Sequence, residues 1–291
     1  MENRIIQKEY FGRNYSFFQI NIDELCKSDI NFFNNNQANG IIIVSHLNGI
    51  INDLSFVTKL KELKAINLNM NIYENLSALQ KLEQLEYISF YGKAKNKIPF
   101  SSLPKLWTVY LNYEKETCSS IFKCGNIENI FIDNYSGKNS LEFETFINAR
   151  RIGLMKNQLS EFDAIRCMPK LEHLGIGYNN KMCTIEWLKG NSSLSSIAFQ
   201  NCKKITNWEI LASLKNIESI SLENCGEIDS LDFISNIISL KELRIIGSTY
   251  IRDCKIRKLL DLSNLQYLLI PIKKGYDITL DDLYYFNMEN S

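Results

Sequence analysis

Apolar residues recur at positions one, four and six of a unit about 22 residues long, and that spacing leaves few folds open to the chain. The triplets are Leu63, Ile66, Leu68; Leu85, Ile88, Phe90; Leu106, Val109, Leu111; Ile127, Ile130, Ile132; and Ala149, Ile152, Leu154. They continue as Leu171, Leu174, Ile176; Leu194, Ile197, Phe199; Ile217, Ile220, Leu222; Leu240, Leu243, Ile245; and Leu265, Leu268, Ile270. All thirty positions are apolar in a chain that is only 45% hydrophobic, so composition alone does not produce the pattern. A repeat this short cannot bury its apolar side alone, so successive copies must stack. The expected architecture is an α/β repeat solenoid with a parallel concave sheet of 10–11 strands and short helical or irregular convex returns.

The boundaries follow from where the pattern stops. Residues 1–37 lack it and carry Ile5, Ile6, Tyr15, Phe17 and Phe18, then a helical segment with Leu25, Cys26, Ile30 and Phe33 on one side; they are expected to form an N-terminal cap. The solenoid spans 38–272, with Ala38, Ile41 and Ile43 as a degenerate first strand. Residues 273–291 form a C-terminal cap, in which Thr279 followed by Asp282 reads as a helix start and Leu280, Leu283, Tyr284 and Phe286 close the last turn. At position nine stand Asn71, Asn157, Asn179, Cys202 and Cys225, small polar groups able to hydrogen-bond the turn of a neighbouring repeat. Ser248 continues this ladder weakly, and Lys93, Glu114, Tyr135 and Lys273 interrupt it. A disulfide between Cys202 and Cys225 is geometrically open, but the ladder role is the preferred reading. Trp187 and Trp208, on the returns, are expected to pack behind the strands.

Leu171 to Asn179 and Leu194 to Cys202 best match the form L-x-x-L-x-L-x-x-N, followed by an I-x-x-L stretch. The chain thus resembles bacterial leucine-rich-repeat proteins with short internalin-like repeats, over about 63–270. The resemblance implies a leucine-rich-repeat horseshoe and protein binding on its strand face. Secreted internalins carry an export signal and a wall anchor, and ubiquitin-ligase relatives add a catalytic helical domain; neither feature is matched in this sequence.

With 33 basic and 33 acidic side chains the net charge is zero, so attraction to nucleic acid through bulk charge is disfavoured. No stretch reaches the roughly twenty apolar residues of a membrane span. Glu2, Arg4, Lys8, Glu9 and Arg13 interrupt any signal-peptide core, so a cytoplasmic location is expected. The eight cysteines are irregularly spaced with no C-x-x-C pair, and read as reduced thiols. No metal or cofactor motif is found. The two histidines, His46 and His173, are the sole candidates for a His-dependent mechanism; the nearest acid to His173 on its face is Glu172, an immediate neighbour, a pairing common by chance.

Function therefore rests on the outward positions of the strands. Tyr87, Tyr91, Trp107, Tyr110, Tyr113 and Phe131 form a candidate aromatic hot spot, the alternative being an aromatic ladder that only stabilises neighbouring strands. Asp133, Arg151, Met155, His173 and Tyr178 continue the same face. At position five, Gly153, Gly175, Ala198 and Ser221 are too small to fill the concavity, which predicts a shallow groove. The reading is a monomeric, non-enzymatic scaffold that binds another protein, its narrower form a bacterial immunity protein that neutralises a toxin or effector. The alternatives are small-molecule or glycan binding at the aromatic patch, or a thiol- or His-dependent enzyme.

Overall fold

In the computed structural model, residues 5–45, 49–68 and 71–290 are described, and the chain forms two compact units, Met1–Asn134 and Tyr135–Ser291. All thirty repeat positions are buried, none more than 3% exposed. At about 25 cal/mol per Å² of apolar surface removed from water, their burial is a major favourable contribution within each unit.

In the first unit, β1 (Ile5–Tyr10) and β2 (Arg13–Asn21) form an antiparallel hairpin. Its two-residue loop, Phe11 and Gly12, has φ of 50° and 81°, the pair of positive values that a tight primed turn needs. The helix α1 (Lys27–Asn35) then buries Phe33 and leads to β3 (Gly40–Val44), the degenerate strand, where Ile41 and Ile43 are buried. β2 pairs in parallel with β3, followed by β4 (Ala65–Leu68), β5 (Tyr87–Phe90), β6 (Thr108–Asn112) and β7 (Asn129–Asp133). A four-residue helix, α2 (Lys115–Cys118), follows β6. The cap therefore does more than cover an apolar end: its β2 supplies a strand to the sheet.

The second unit stacks β8 (Arg151–Met155), β9 (His173–Gly177), β10 (Ser196–Gln200), β11 (Ser219–Glu223), β12 (Glu242–Ile246) and β13 (Tyr267–Leu269), all parallel and in chain order. The returns are mostly short 3₁₀ turns. Behind the strands Trp187 meets Phe162 edge-on at 6.0 Å and Trp208 meets Phe199 at 5.3 Å, the packing role expected of both. The unit ends in α3 (Leu280–Glu289), opened by a reciprocal cap between Thr279 and Asp282. Leu283 and Phe286 turn inward, and the Asn287 amide both donates to and accepts from the Leu268 backbone at 3.0 and 2.9 Å. A side chain thus occupies hydrogen-bonding groups of β13 that another strand would otherwise use.

The polar ladder forms in the second unit, with one shift of register. Asn179 donates to Asn157, while the Cys202 and Cys225 thiols, both free, donate to the carbonyls of Ile176 and Phe199. Burial pushes the Cys225 thiol up to about 12. In the next repeat Ser248 is exposed and Thr249, one residue later, takes the ladder place, bonded to the Cys225 N–H and the Leu222 carbonyl. Lys273 extends the ladder rather than interrupting it, its ammonium reaching the Thr249 carbonyl at 2.6 Å.

Candidate functional site

Each unit presents its own outward strand surface. In the first, alternate residues of β5, β6 and β7 point away from the apolar spine, which brings Tyr87, Tyr110 and Phe131 together. Tyr110 stacks on Phe131 at 4.4 Å between ring centroids and lies 5.8 Å from Tyr87. The hairpin lies over this face. Tyr10 stacks on Tyr87 at 4.6 Å, and Phe11 stacks on Phe131 at 5.8 Å. Arg13 sits 3.8 Å above the Trp107 ring and pairs with Glu86, and the Trp107 indole N–H donates to the Tyr15 hydroxyl at 3.1 Å. Tyr15 in turn donates to Glu86; burial and that carboxylate push its hydroxyl up to about 12.

This contact corrects the expectation that the whole aromatic cluster stands open. Tyr87 and Trp107 are 3% and 7% exposed because the hairpin covers them. Tyr113, 5% exposed, is not on the outward face: just ahead of α2 it packs edge-on to Phe122. Tyr91, Tyr110, Phe131 and Asp133 remain partly exposed, and burial together with the charge of Asp133 pushes the Tyr91 hydroxyl up to about 12. The hairpin adds Phe11, 38% exposed, which the sequence pattern did not single out.

In the second unit the register lines up three rows. Gly153, Gly175, Ala198 and Ser221 run across β8 to β11 and form the floor of a trough, about 15 Å long at one strand spacing per step. A Cβ built on Gly175 would meet nothing nearer than the Ile152 carbonyl at 4.0 Å, so the space above the floor is open. Arg151, His173, Ser196 and Ser219 form one wall. Met155, Gln200 and Glu223 form the other, Met155 lying where a Cβ on Gly177 would stand. Beyond the floor Arg244 pairs with Glu242. His173 is half-buried; burial and then Arg151 depress its pKa, keeping the imidazole neutral near pH 7.

The eighth position of several repeats ends its strand in left-handed backbone. Within this unit Asn201, Asn224 and Gly247 suit that conformation, but Lys156 and Tyr178 hold it too, each at φ 52°. Tyr178, 45% exposed, holds a large ring at a strained position. Tyr178→Asn is expected to raise stability by about 0.5–1 kcal/mol in a denaturant titration, by relieving that strain.

Across the ladder His173 faces Arg151 and Ser196. Burial raises the pKa of Cys118, Cys124, Cys202 and Cys225, which disfavours thiolate formation. His46 lies outside the described residues. Among the described residues no group of three or more His, Cys, Asp or Glu is placed to hold a metal ion, and no helix is long and apolar enough to cross a membrane.

No family model and no curated protein matches the chain. Solved structures do. An internalin (inlF) from Listeria monocytogenes superposes with a TM-score of 0.60 at 20% identity, over 79% of this chain and 67% of that one. The leucine-rich-repeat domain of APL1 gives 0.52 at 14% identity, over 88% and 75%. The leucine-rich-repeat ectodomain of the Arabidopsis thaliana receptor kinase GASSHO1/SCHENGEN3, solved in complex with Casparian strip integrity factor 2, gives 0.50 at 15% identity, over 78% of this chain and 32% of that one. The fold is a leucine-rich repeat with short internalin-like repeats.

Proposed function

We propose that this chain is a non-enzymatic scaffold that binds another protein on its outward strand surfaces. The observation that carries the reading is the open trough of the second unit: a floor of Gly153, Gly175, Ala198 and Ser221 between polar walls, on hydrogen-bonded strands that need no ordering on binding. Arg151 at one end and Glu223 at the other suit a segment of mixed charge, and strained, exposed Tyr178 is a natural anchor. In the first unit the half-exposed Tyr110, Phe131 and Phe11 offer a second, smaller contact. Because Tyr110 and Phe131 also seat the hairpin, mutating them confounds binding with stability.

Filling the trough separates the two. Ala198→Trp places a bulky ring at an exposed position on the floor, and is expected to weaken partner binding by about 100-fold, the scale of a blocked hot spot, with the melting temperature unchanged. Affinity capture with the two proteins side by side checks it; equal recovery of partner removes the trough from the interface. The narrower form, a toxin or effector as partner, is tested by whether the captured protein loses its activity in the complex. Glycan or small-molecule stacking is less well supported, because the hairpin already occupies Tyr87 and Trp107.

A further inference from the structure

We infer that a cavity between two neighbouring returns of the second unit, beside Trp187, binds a small organic phosphate. The cavity lies where the 3₁₀ turns Asp163–Cys167 and Glu186–Leu188 come together, and its volume is about 430 Å³, within the range of ligand pockets. Its polar lining is rich in donors. Arg166 and Lys189 bring two positive charges and Ser192 a hydroxyl, and among the described residues no Asp or Glu lines it. Arg166 gives one N–H to Asp163 at 3.3 Å and keeps the rest of its guanidinium fork, while the Lys189 ammonium and the Ser192 hydroxyl have no partner among the described residues. The Trp187 indole N–H is a separate observation. The side chain is 4% exposed and lines the cavity, yet this N–H also has no acceptor among the described residues. A buried donor without an acceptor is destabilising, and an anion against this wall would supply what the ring lacks.

The donor set selects the ligand. A guanidinium fork takes two oxygens of a phosphate at once, and a lysine ammonium adds a point charge for the third. The cavity is larger than a bare phosphate, and Met168, Pro169 and the Trp187 ring give it an apolar side, so the ligand carries a carbon portion. The turn that presents Lys189 and Ser192 is held in place. The Gly190 N–H donates to the Ser213 hydroxyl at 3.1 Å, and the Asn191 side-chain oxygen accepts from the N–H groups of Ser193 and Leu194, both at 3.0 Å. Such a site needs little ordering on binding. It shares no residue with the trough and does not depend on it.

The test titrates the full chain with phenyl phosphate, inorganic phosphate and phenol, read by tryptophan fluorescence. Phenyl phosphate is expected to saturate the signal, inorganic phosphate to bind about 10-fold more weakly, and phenol to leave the signal unchanged. Arg166→Gln with Lys189→Gln should weaken phenyl phosphate at least about 10-fold; both side chains are exposed, so the fold is retained. Trp187→Phe keeps an aromatic ring in place and should abolish the fluorescence change, because Trp107 and Trp208 do not line this cavity. Phenol binding as well as phenyl phosphate, affinity unchanged in the double variant, or a signal that persists in Trp187→Phe would each overturn the assignment. So would a phosphotyrosine peptide that binds more than about 10-fold tighter than phenyl phosphate, which would give the site to a phosphorylated protein.

Discussion

Replacing Trp107 with alanine is expected to destabilise the first unit by about 3–5 kcal/mol, the range for deleting a buried aromatic. The residue is 7% exposed although it lies outside the apolar spine, and what covers it is the hairpin. Its removal would take away the ring under Arg13, the indole donor to Tyr15 and the floor on which the hairpin rests. Tyr15→Phe is expected to cost less, about 1–3 kcal/mol, by leaving the indole N–H without its acceptor. Because both act through one contact, the double variant should cost less than the sum. Denaturant titrations of the three variants, with limited proteolysis of the β1–β2 loop as a second readout, check this. A Trp107→Ala loss below about 1 kcal/mol would mean that the hairpin is not anchored on this face.

That contact also shows what the sequence leaves illegible. Thirty apolar positions at a fixed spacing report the repeat because burial imposes the same requirement on every turn. Outward positions carry no such rule. Tyr87 and Trp107 have the composition of an interface, but nothing local says that the interface is internal, formed with residues more than seventy positions earlier. The signal that was available lies in the cap: Phe11-Gly12 between Ile5–Tyr10 and Arg13–Asn21 is a hairpin turn, and Tyr15 and Phe17 alternate as one face of a strand. Apolar residues on both faces of β2, with Phe18 and Ile20 opposite, hid that alternation. Tyr113 departs from the outward pattern for a simpler reason: the turn after β6 goes directly into α2, so its eighth position points inward to Phe122. The trough, by contrast, was legible from the missing side chains alone, since glycine and alanine cannot fill a floor wherever the chain takes them. Of the four residues of α3 expected to close the last turn, Leu283 and Phe286 are buried there, whereas Leu280 and Tyr284 are exposed.

Asn179→Leu is the second large effect, about 3–5 kcal/mol lost from the second unit despite a side chain of similar size. Asn179 is fully buried and uses all its hydrogen-bonding capacity: its amide donates to Asn157 at 2.7 Å and to the Leu159 carbonyl at 2.9 Å, and its oxygen accepts from the N–H groups of Lys181 and Met182 at 2.7 and 2.8 Å. Leucine leaves these partners in the interior without water, at about 1–3 kcal/mol for each buried group. Cys202→Ser, one repeat on, should cost less than about 1 kcal/mol, because the hydroxyl can still donate to the Ile176 carbonyl that the thiol now uses. The contrast between the two variants, read by denaturant titration, separates a ladder of hydrogen bonds from mere filling of space. If Asn179→Leu were as mild as Cys202→Ser, packing would account for the position, and the run of Asn, Cys and Thr along the turns would lose its physical explanation.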